Sequence, residues 1–435
     1  MTILFLTYYW PPSGGPGVQR SLKFVKYLPK FDIQPIVITI DEKFASYPVI
    51  QSDFIKEIPE NIVVVKTKSL EPLNIYKNLN KRGEIPYSGF VNESEIGFFH
   101  KIFRFIRGNL FIPDARKGWN KFAYKAAKEI ISKKKIDLIF ISTPPHSTQL
   151  LGLKLKKETG IPVIADMRDP WTDIFYYKMF YQMGFAKRKD KIFEKNVLEN
   201  SDAVLVVSES MKSRFLLKSD KINADKIHII PNGFDEEDFK LNTSENREEF
   251  TITYAGSITE DYGIDSFIAV YKNIIEKHTD IKIRLRFIGV ISESLKNKFI
   301  ESGLESNIEF KNYVPHKESI KSLLESTTLL LAIPKIENNE GILTGKLFEY
   351  LASKKPIICI GPENGDAARI INDCKAGKVF DYSKENEVEN YISELILMWS
   401  QNKNLENSDN NYLKYSRIKQ AETLSFIIKK LAGKK

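Results

Sequence analysis

Two successive series of short apolar strands, each alternating with helical stretches, constrain the fold of this chain more than any other feature. The first series of predicted strands covers Ile3–Thr7, Pro35–Ile40, Val63–Lys66, Leu138–Ile141, Val163–Asp166, Ala203–Val207 and His228–Ile230. The second series covers Thr251–Ala255, Ile283–Ile288, Ile308–Lys311, Leu329–Ala332 and Ile357–Ile360. Strands that alternate with helices form parallel sheets with right-handed crossovers. The sequence therefore predicts an α/β protein of two doubly wound, Rossmann-like domains that face each other across a ligand-binding cleft.

The composition supports domains with proper cores, because 42% of the 435 residues are hydrophobic. The two cysteines, Cys359 and Cys374, lack the spacing of a disulfide framework or a metal site, so we expect a reducing compartment and no bound metal. The chain opens directly on a strand-like run, and no apolar run approaches the roughly 20 residues that span a bilayer. These features predict a cytoplasmic protein.

The net charge of +9 predicts an anionic partner, unless it reflects only a lysine-rich composition. Two segments combine basic and aromatic residues: 98–107, and 175–181 followed by Lys187, Arg188 and Lys189. Such segments suit an anionic membrane surface, single-stranded nucleic acid, or an aromatic core beneath a solvated basic face. No nucleic-acid-binding module is visible, so we expect no nucleic acid and favour membrane contact.

The stretch GKLFEYLASKKPII reads as a short helix followed by a buried strand. Thr344 stands at its N-cap, and Gly341 and Gly345 loosen the entry. Lys346 lies in the first turn, where the helix dipole disfavours a cation, and Glu349 follows on the same face. Free amides and a lysine at a helix N-terminus suit a diphosphate, and a carboxylate one turn along suits a ribose diol. The alternative is a surface ion pair on an ordinary helix.

A glycine-rich loop follows the first predicted strand and contains Gly14, Gly15 and Gly17. Glycines between a strand and a helix let the backbone approach an anion. The pattern is not GxGxxG, so neither a nicotinamide nor a flavin site is predicted. Taken alone, the residues favour a tight turn.

Polar side chains follow two neighbouring predicted strands at the expected cleft edge. His146 is a candidate for acceptor binding or proton transfer, although a lone histidine is more often structural. Asp169 follows the next strand and is a candidate to accept the proton of an acceptor hydroxyl. Its alternative role is a structural ion pair with Arg168.

The stretch GKLFEYLASKKPII resembles the nucleotide-sugar segment of the retaining glycosyltransferases of family 4, which have the GT-B fold. Further segments resemble motifs of the same family, namely 168–171, 201–210, 231–235 and 313–316. The resemblance implies that Glu349 grips the ribose and that Tyr313 and Val314 read the base. It also implies that the glycine loop closes over the diphosphate and the acceptor, and that Gly256 lets a strand end approach the ligand.

The chain departs from the family pattern at two positions. The family carries an Arg just after the glycine that matches Gly256 and a Lys several residues later, where this chain has Ser257 and Tyr262. The first Glu of the family motif falls on Gly341, beside Glu340. Our hypotheses are that Lys346 supplies the missing cation and that a shifted loop brings Glu340 to the donor.

The resemblance implies an acceptor-binding domain in 1–239, a nucleotide-sugar-binding domain in 240–410 and a terminal helix in 411–435 that crosses back. The implied reaction moves a sugar from a nucleotide-diphosphate sugar to a glycan or lipid-linked acceptor in cell-surface polysaccharide synthesis. It would proceed with retention and without a metal or other cofactor, using Asp169, His146 and Lys346. A sugar-nucleotide epimerase of the same fold and a degenerate subunit of a glycan-assembly complex are the alternatives. Lipid-linked acceptors would place the enzyme peripherally on the inner face of the membrane.

Overall fold

The computed structural model describes residues 1–47, 49–70, 98–241, 243 and 247–433. The chain forms two compact units. The first comprises Met1–Pro231 and Arg417–Lys435, and the second comprises Asn232–Ser416. The units part within the Pro-Asn-Gly stretch, rather than after residue 239 as the sequence suggested.

The first unit is built on a parallel sheet of seven strands in the order β3-β2-β1-β4-β5-β6-β7. These strands are β1 (Thr2–Thr7), β2 (Gln34–Ile40), β3 (Val63–Thr67), β4 (Leu138–Thr143), β5 (Val163–Met167), β6 (Ala203–Val206) and β7 (Ile227–Ile229). Their helices are α1 (Pro16–Tyr27), α2 (Phe98–Leu110), α3 (Asn120–Lys133), α4 (Ser147–Thr159), α5 (Gly184–Asn200) and α6 (Glu209–Leu216). The strand order reverses between β1 and β4, and such a reversal opens a crevice at the carboxyl ends of the strands.

The second unit repeats this architecture with six parallel strands in the order β10-β9-β8-β11-β12-β13. They are β8 (Phe250–Ala255), β9 (Ile283–Ile288), β10 (Ile308–Lys311), β11 (Thr328–Ala332), β12 (Ile357–Ile360) and β13 (Gly377–Phe380). Its helices are α7 (Asp265–Lys277), α8 (Glu293–Glu301), α9 (His316–Leu324), α10 (Gly345–Ser353), α11 (Asp366–Asp373) and α12 (Glu385–Ser400). Here the order reverses between β8 and β11.

Helix α13 (Arg417–Ala432) follows the second unit in sequence but belongs to the first. It packs against α1, and its Leu424 and Ile428 are fully buried in the same apolar cluster as Val18 and Leu22. The side-chain amide of Gln420 donates to the carbonyl of Pro231 at 2.9 Å. The last helix therefore completes the core of the unit that the first strand begins.

Candidate donor and acceptor sites

Helix α10 begins with a threonine that does not cap it. Thr344 occupies the N-cap position with an extended backbone, at φ −80° and ψ 150°, and its side chain makes no capping hydrogen bond. Its Oγ1 is buried and has no hydrogen-bond partner in the described part of the chain. Uncapped amides at a helix N-terminus are suited to bind an anion.

Lys346, in the first turn of α10, lies across the end of β8. Its Nζ donates to the hydroxyl of Tyr254 and to the carbonyl of Ser257, the latter at 3.2 Å. The same Nζ is 4.2 Å from the centroid of the Tyr254 ring and 5.8 Å from that of Tyr262. The lysine therefore brings its amine to the end of β8, beside Ser257 and Tyr262.

Gly256 makes this approach possible. Its φ is +119°, and a Cβ at this position would collide with the Cε of Lys346. Gly256 and Lys346, both predicted from the sequence to serve the donor, are thus in direct contact. Their meeting is the feature of the site that motif spacing did not reveal.

The environment of Lys346 also changes its acidity. Desolvation among the tyrosine rings lowers its pKa to about 7, and the nearby carboxylate of Glu349 opposes that shift. The amine of Lys346 is therefore only partly protonated near neutral pH.

Tyr350 fixes α10 against the sheet at the point where the strand order reverses. Strand β11 pairs with β8 only at Ile252 and Thr253, and the ladder does not continue. The buried hydroxyl of Tyr350 instead accepts a hydrogen bond from the amide of Ala255 at 2.8 Å. This contact sets the position of the helix N-terminus relative to the end of β8.

Glu349 is held by His316, which is not among the residues that the sequence predicts for the site. Nε2 of His316 lies 2.9 Å from Oε1 of Glu349. His316 is the first residue of α9 and follows the loop that contains Tyr313 and Val314. Its position beside that loop is the sequence signal that could have identified His316 as a site residue.

The remaining predicted donor residues lie in the loops around α10. Glu340 and Gly341 belong to the short 3-10 helix Asn339–Gly341. The side-chain amide of Asn339 anchors this turn by donating to the carbonyl of Pro334 at 2.8 Å and to the hydroxyl of Tyr382 at 2.9 Å. The contact of Glu340 with the donor stays a prediction.

In the first unit, Arg168 lies among the residues predicted to serve the acceptor. Its Nε donates to the carbonyl of Thr143 at 2.5 Å, and its guanidinium covers Gly17, where a Cβ would collide with it. Arg168 also acts electrostatically on Asp169 and His146. The ends of β4 and β5 and the start of α1 therefore meet around one cation.

His146 and Asp169 are both shifted towards their neutral forms. The His146 ring stacks on Trp171 at 4.6 Å between centroids, and burial and Arg168 together lower its pKa to about 3. Burial raises the pKa of Asp169 more than Arg168 lowers it. His146 Nδ1 is buried and has no hydrogen-bond partner among the described residues. A neutral imidazole of such low pKa is suited to bind a hydroxyl rather than to deprotonate it, whereas a carboxylate of raised pKa is suited to do either.

The glycine loop is held by residues of the segment between β2 and β3. The amide of Gly14 donates to the carbonyl of Val49 at 2.9 Å, and the amide of Gly15 donates to the side chain of Gln51 at 3.1 Å. Gly15 has a φ of 97° and immediately precedes α1. This left-handed conformation is readily adopted by glycine, which turns the chain sharply into the helix.

Comparison with known families covers both units. Residues 86–238 match the family model Glycosyltransferase Family 4, and residues 235–412 match Glycosyl transferases group 1. The chain is a glycosyltransferase of the GT-B fold. No curated protein matches the glycosyltransferase.

Solved structures share the fold of the glycosyltransferase at low sequence identity. Sucrose-phosphate synthase from Thermosynechococcus elongatus is 12% identical, with a TM-score of 0.63 and coverage of 100% of both chains. A glycosyltransferase from Rickettsia africae is 16% identical, with a TM-score of 0.61, and the match covers 99% of this chain and 98% of that one. TarM of S. aureus, solved in complex with UDP among other ligands, is 12% identical with a TM-score of 0.60, and the match covers 98% and 99% of the two chains.

A fully buried ion pair of the glycosyltransferase joins α1 to β5. The Nη2 of Arg20 donates to Oδ1 of Asp166 at 2.8 Å, and its Nη1 donates to the carbonyls of Ile230 and Pro231 at 2.9 and 2.8 Å. Ser142 donates to the same carboxylate at 3.1 Å. Asp166 therefore has a structural role, and Ile230 and Pro231, where the chain leaves the first unit, are fixed to the helix that follows the glycine loop.

None of the helices of the glycosyltransferase that the structure describes is both long and apolar enough to cross a bilayer.

Proposed function

We propose that this glycosyltransferase transfers a sugar, with retention, from a nucleotide-diphosphate sugar to a glycan or lipid-linked acceptor in cell-surface polysaccharide synthesis. The observation that carries the proposal is the contact of Lys346 with Gly256 at the end of β8. It supports a diphosphate site because a cation, uncapped helix amides and a strand end meet there. In this proposal Glu349, one turn along α10, binds the ribose.

The two units have separate roles in the proposed reaction. Lys346 and the first amides of α10 stabilise the negative charge that develops on the departing diphosphate. The donor phosphate accepts the proton of the acceptor hydroxyl, so no protein nucleophile is required. Asp169 and His146 orient that hydroxyl from the first unit. With Lys346 as the cation, the reaction is proposed to proceed without a bound metal.

A surface of the first unit supports a lipid-linked acceptor. The exposed apolar residues Ile102, Ile106 and Leu110 form one face of α2, whereas Arg104 on that helix is buried. The side chain of Asn109 joins α2 to the segment at 175–183 by donating to the carbonyl of Tyr181 at 3.2 Å. Met179 and Met183 are exposed in that segment. Helix α5, which follows it, exposes Phe185, Lys187, Arg188 and Lys189.

Exposed apolar side chains beside basic ones fit an anionic bilayer surface. We therefore propose peripheral attachment to the inner face of the cytoplasmic membrane. Two structural neighbours are described as the lipopolysaccharide galactosyltransferase WaaB and as WaaG, a glycosyltransferase involved in lipopolysaccharide biosynthesis. Binding to anionic vesicles that is lost in Ile106→Ser with Leu110→Ser would support the attachment, and equal binding by the variant would contradict it.

The donor site is tested by thermal stabilisation with a panel of nucleotide diphosphates and their sugars. A ligand at a hundred times its dissociation constant should add about 2.7 kcal/mol of stability. We expect stabilisation by one base family, weakened in Glu349→Ala and unchanged in the control Glu293→Ala, whose carboxylate is exposed on α8. No stabilisation by any member would contradict the proposal and favour a degenerate subunit. A free epimerised donor in the product assay, instead of a glycosylated acceptor, would favour an epimerase.

A further inference from the structure

His316 and Glu349 join two parts of the second unit that serve different portions of a nucleotide. His316 is the first residue of α9 and directly follows the loop at Tyr313 and Val314, to which the family resemblance gives the base contact. Glu349 lies on α10, where it is assigned to the ribose. The ring nitrogen and the carboxylate oxygen are 2.9 Å apart, and the side chains retain 25% and 21% of their exposure. The pair is thus shielded but remains accessible to a small ligand.

The bond leaves the carboxylate able to bind a diol. An ionised carboxylate only accepts hydrogen bonds, so Nε2 of His316 must carry the hydrogen. Oε1 of Glu349 keeps a second lone pair and Oε2 keeps both, which is enough for two ribose hydroxyls. A free glutamate side chain has many rotamers and loses that freedom when a ligand fixes it. A glutamate already held by a histidine has less freedom to lose.

The bond also keeps two charges apart. Lys346 and Glu349 are three residues apart on α10, a spacing at which opposite charges attract, and Glu349 already influences the pKa of Lys346. A glutamate released from His316 could turn towards Lys346 and neutralise the cation that the diphosphate needs. His316 therefore favours the arrangement in which each charged group is available to its own part of the ligand.

We propose that His316 is a positioning residue that presets Glu349 for the ribose and links the base-contacting loop to the ribose contact. This inference rests on the proposed nucleotide-sugar function. Its signature is dependence on the ribose hydroxyls, because His316 acts through Glu349 and not on the base or the phosphates directly.

The test uses two ligands: the nucleoside diphosphate that stabilises the parent protein most, and its 2′,3′-dideoxy counterpart. Calorimetric titration should show that His316→Leu weakens the first ligand about five- to tenfold and the second by less than about twofold, as expected for loss of one preorganising hydrogen bond. His316→Gln, which retains an N–H donor, should bind both ligands like the parent. In the Glu349→Ala background, His316→Leu should have no further effect on either ligand.

The control is His278→Leu, which removes the other histidine of the second unit, at the end of α7. It should bind both ligands like the parent, and melting curves establish that each variant is folded. Equal weakening of both ligands by His316→Leu, no weakening of either, or failure of Gln to restore binding would each overturn the inference alone. A parent that binds neither ligand would overturn the proposed function and this inference with it.

Discussion

The absence of a side chain at Gly256 allows Lys346 to lie across the end of β8. Gly256→Ala would impose a strained backbone at φ +119° and force Lys346 from its position. We expect a loss of unfolding free energy of about 1–3 kcal/mol from the backbone. Displacement of the cation should weaken nucleotide-diphosphate binding about tenfold or more, since a charged hydrogen bond contributes about 1.5–3 kcal/mol. Urea denaturation and titration calorimetry measure the two effects.

Gly303 provides the matched control in the same unit. Its φ is +77°, but a Cβ there would meet no atom within 4 Å. Gly303→Ala should therefore destabilise the protein by about 1–2 kcal/mol and leave nucleotide binding unchanged. Equal loss of binding in the two variants would show that Gly256 acts through stability only.

Lys346 should take up a proton when a diphosphate binds. Its pKa of about 7 lies below the roughly 10.4 of an exposed lysine, so at pH 8 the amine is mostly neutral. A bound anion favours the charged form and raises the pKa, so binding at pH 8 should consume up to about one proton, and affinity should fall as the pH rises above 7. Calorimetry in buffers of different ionisation enthalpy measures this uptake.

Two variants test that assignment. Lys346→Arg keeps a permanent charge, so it should retain affinity but show no proton uptake. Lys346→Met should lose both the uptake and most of the affinity. Proton uptake by Lys346→Met equal to that of the parent would assign the proton to another group.

The Arg20–Asp166 pair stabilises the junction of α1, β4 and β5. Asp166→Asn would leave a fully buried guanidinium without its countercharge, and removing one partner of such a pair costs about 3–5 kcal/mol. The control is Asp53→Asn, because Asp53 and its partner Lys56 are both highly exposed and should matter by less than about 1 kcal/mol. Urea denaturation of both variants measures the difference in unfolding free energy. Similar losses in the two variants would show that the buried pair does not contribute more than the exposed one.

The elements themselves were largely predictable from the sequence. Every predicted strand is present within about two residues, because short runs such as Ile357–Ile360 are apolar throughout and fully buried. The strand β13 was missed, since Gly377–Phe380 begins with a glycine and contains a lysine that faces outward. The prediction of two Rossmann-like domains with the GT-B fold is confirmed by the sheets and the structural neighbours.

The site was predictable only as a set of separate motifs. Glu349 and Lys346 stood out because a cation in the first turn of a helix is unfavourable without an anion. The contact between Lys346 and Gly256 depends on the direction of a side chain at the point where the strand order reverses. Sequence spacing does not reveal that direction. The bond of His316 to Glu349 was hidden for the same reason, since it joins the start of one helix to the middle of another.

At the scale of the whole molecule, the first unit depends on residues from both ends of the chain. A chain ending at Ser416 would lack α13, whose buried Leu424, Ile427 and Ile428 contribute about 1.5–3 kcal/mol each. That loss is comparable to the whole stability of a typical domain. We expect the first unit to become susceptible to proteolysis while Asn232–Ser416 stays resistant, as mapped by mass spectrometry of the fragments.

A chain ending at residue 433 is the control for that truncation, since it keeps all of α13 and should resist proteolysis like the parent. Equal resistance of the first unit in the chain ending at Ser416 would show that α13 is not needed for its core.

The division of the first unit between the two chain ends also sets an order of events during translation. A ribosome that adds about 5–20 residues per second exposes the apolar face of α1 on the order of 20–80 s before α13 emerges to cover it. The second unit, by contrast, is contiguous in sequence and complete before α13 is made. The nascent chain therefore has a complete second unit while its first unit is still open, and that interval is when holdase chaperones would matter most to its yield.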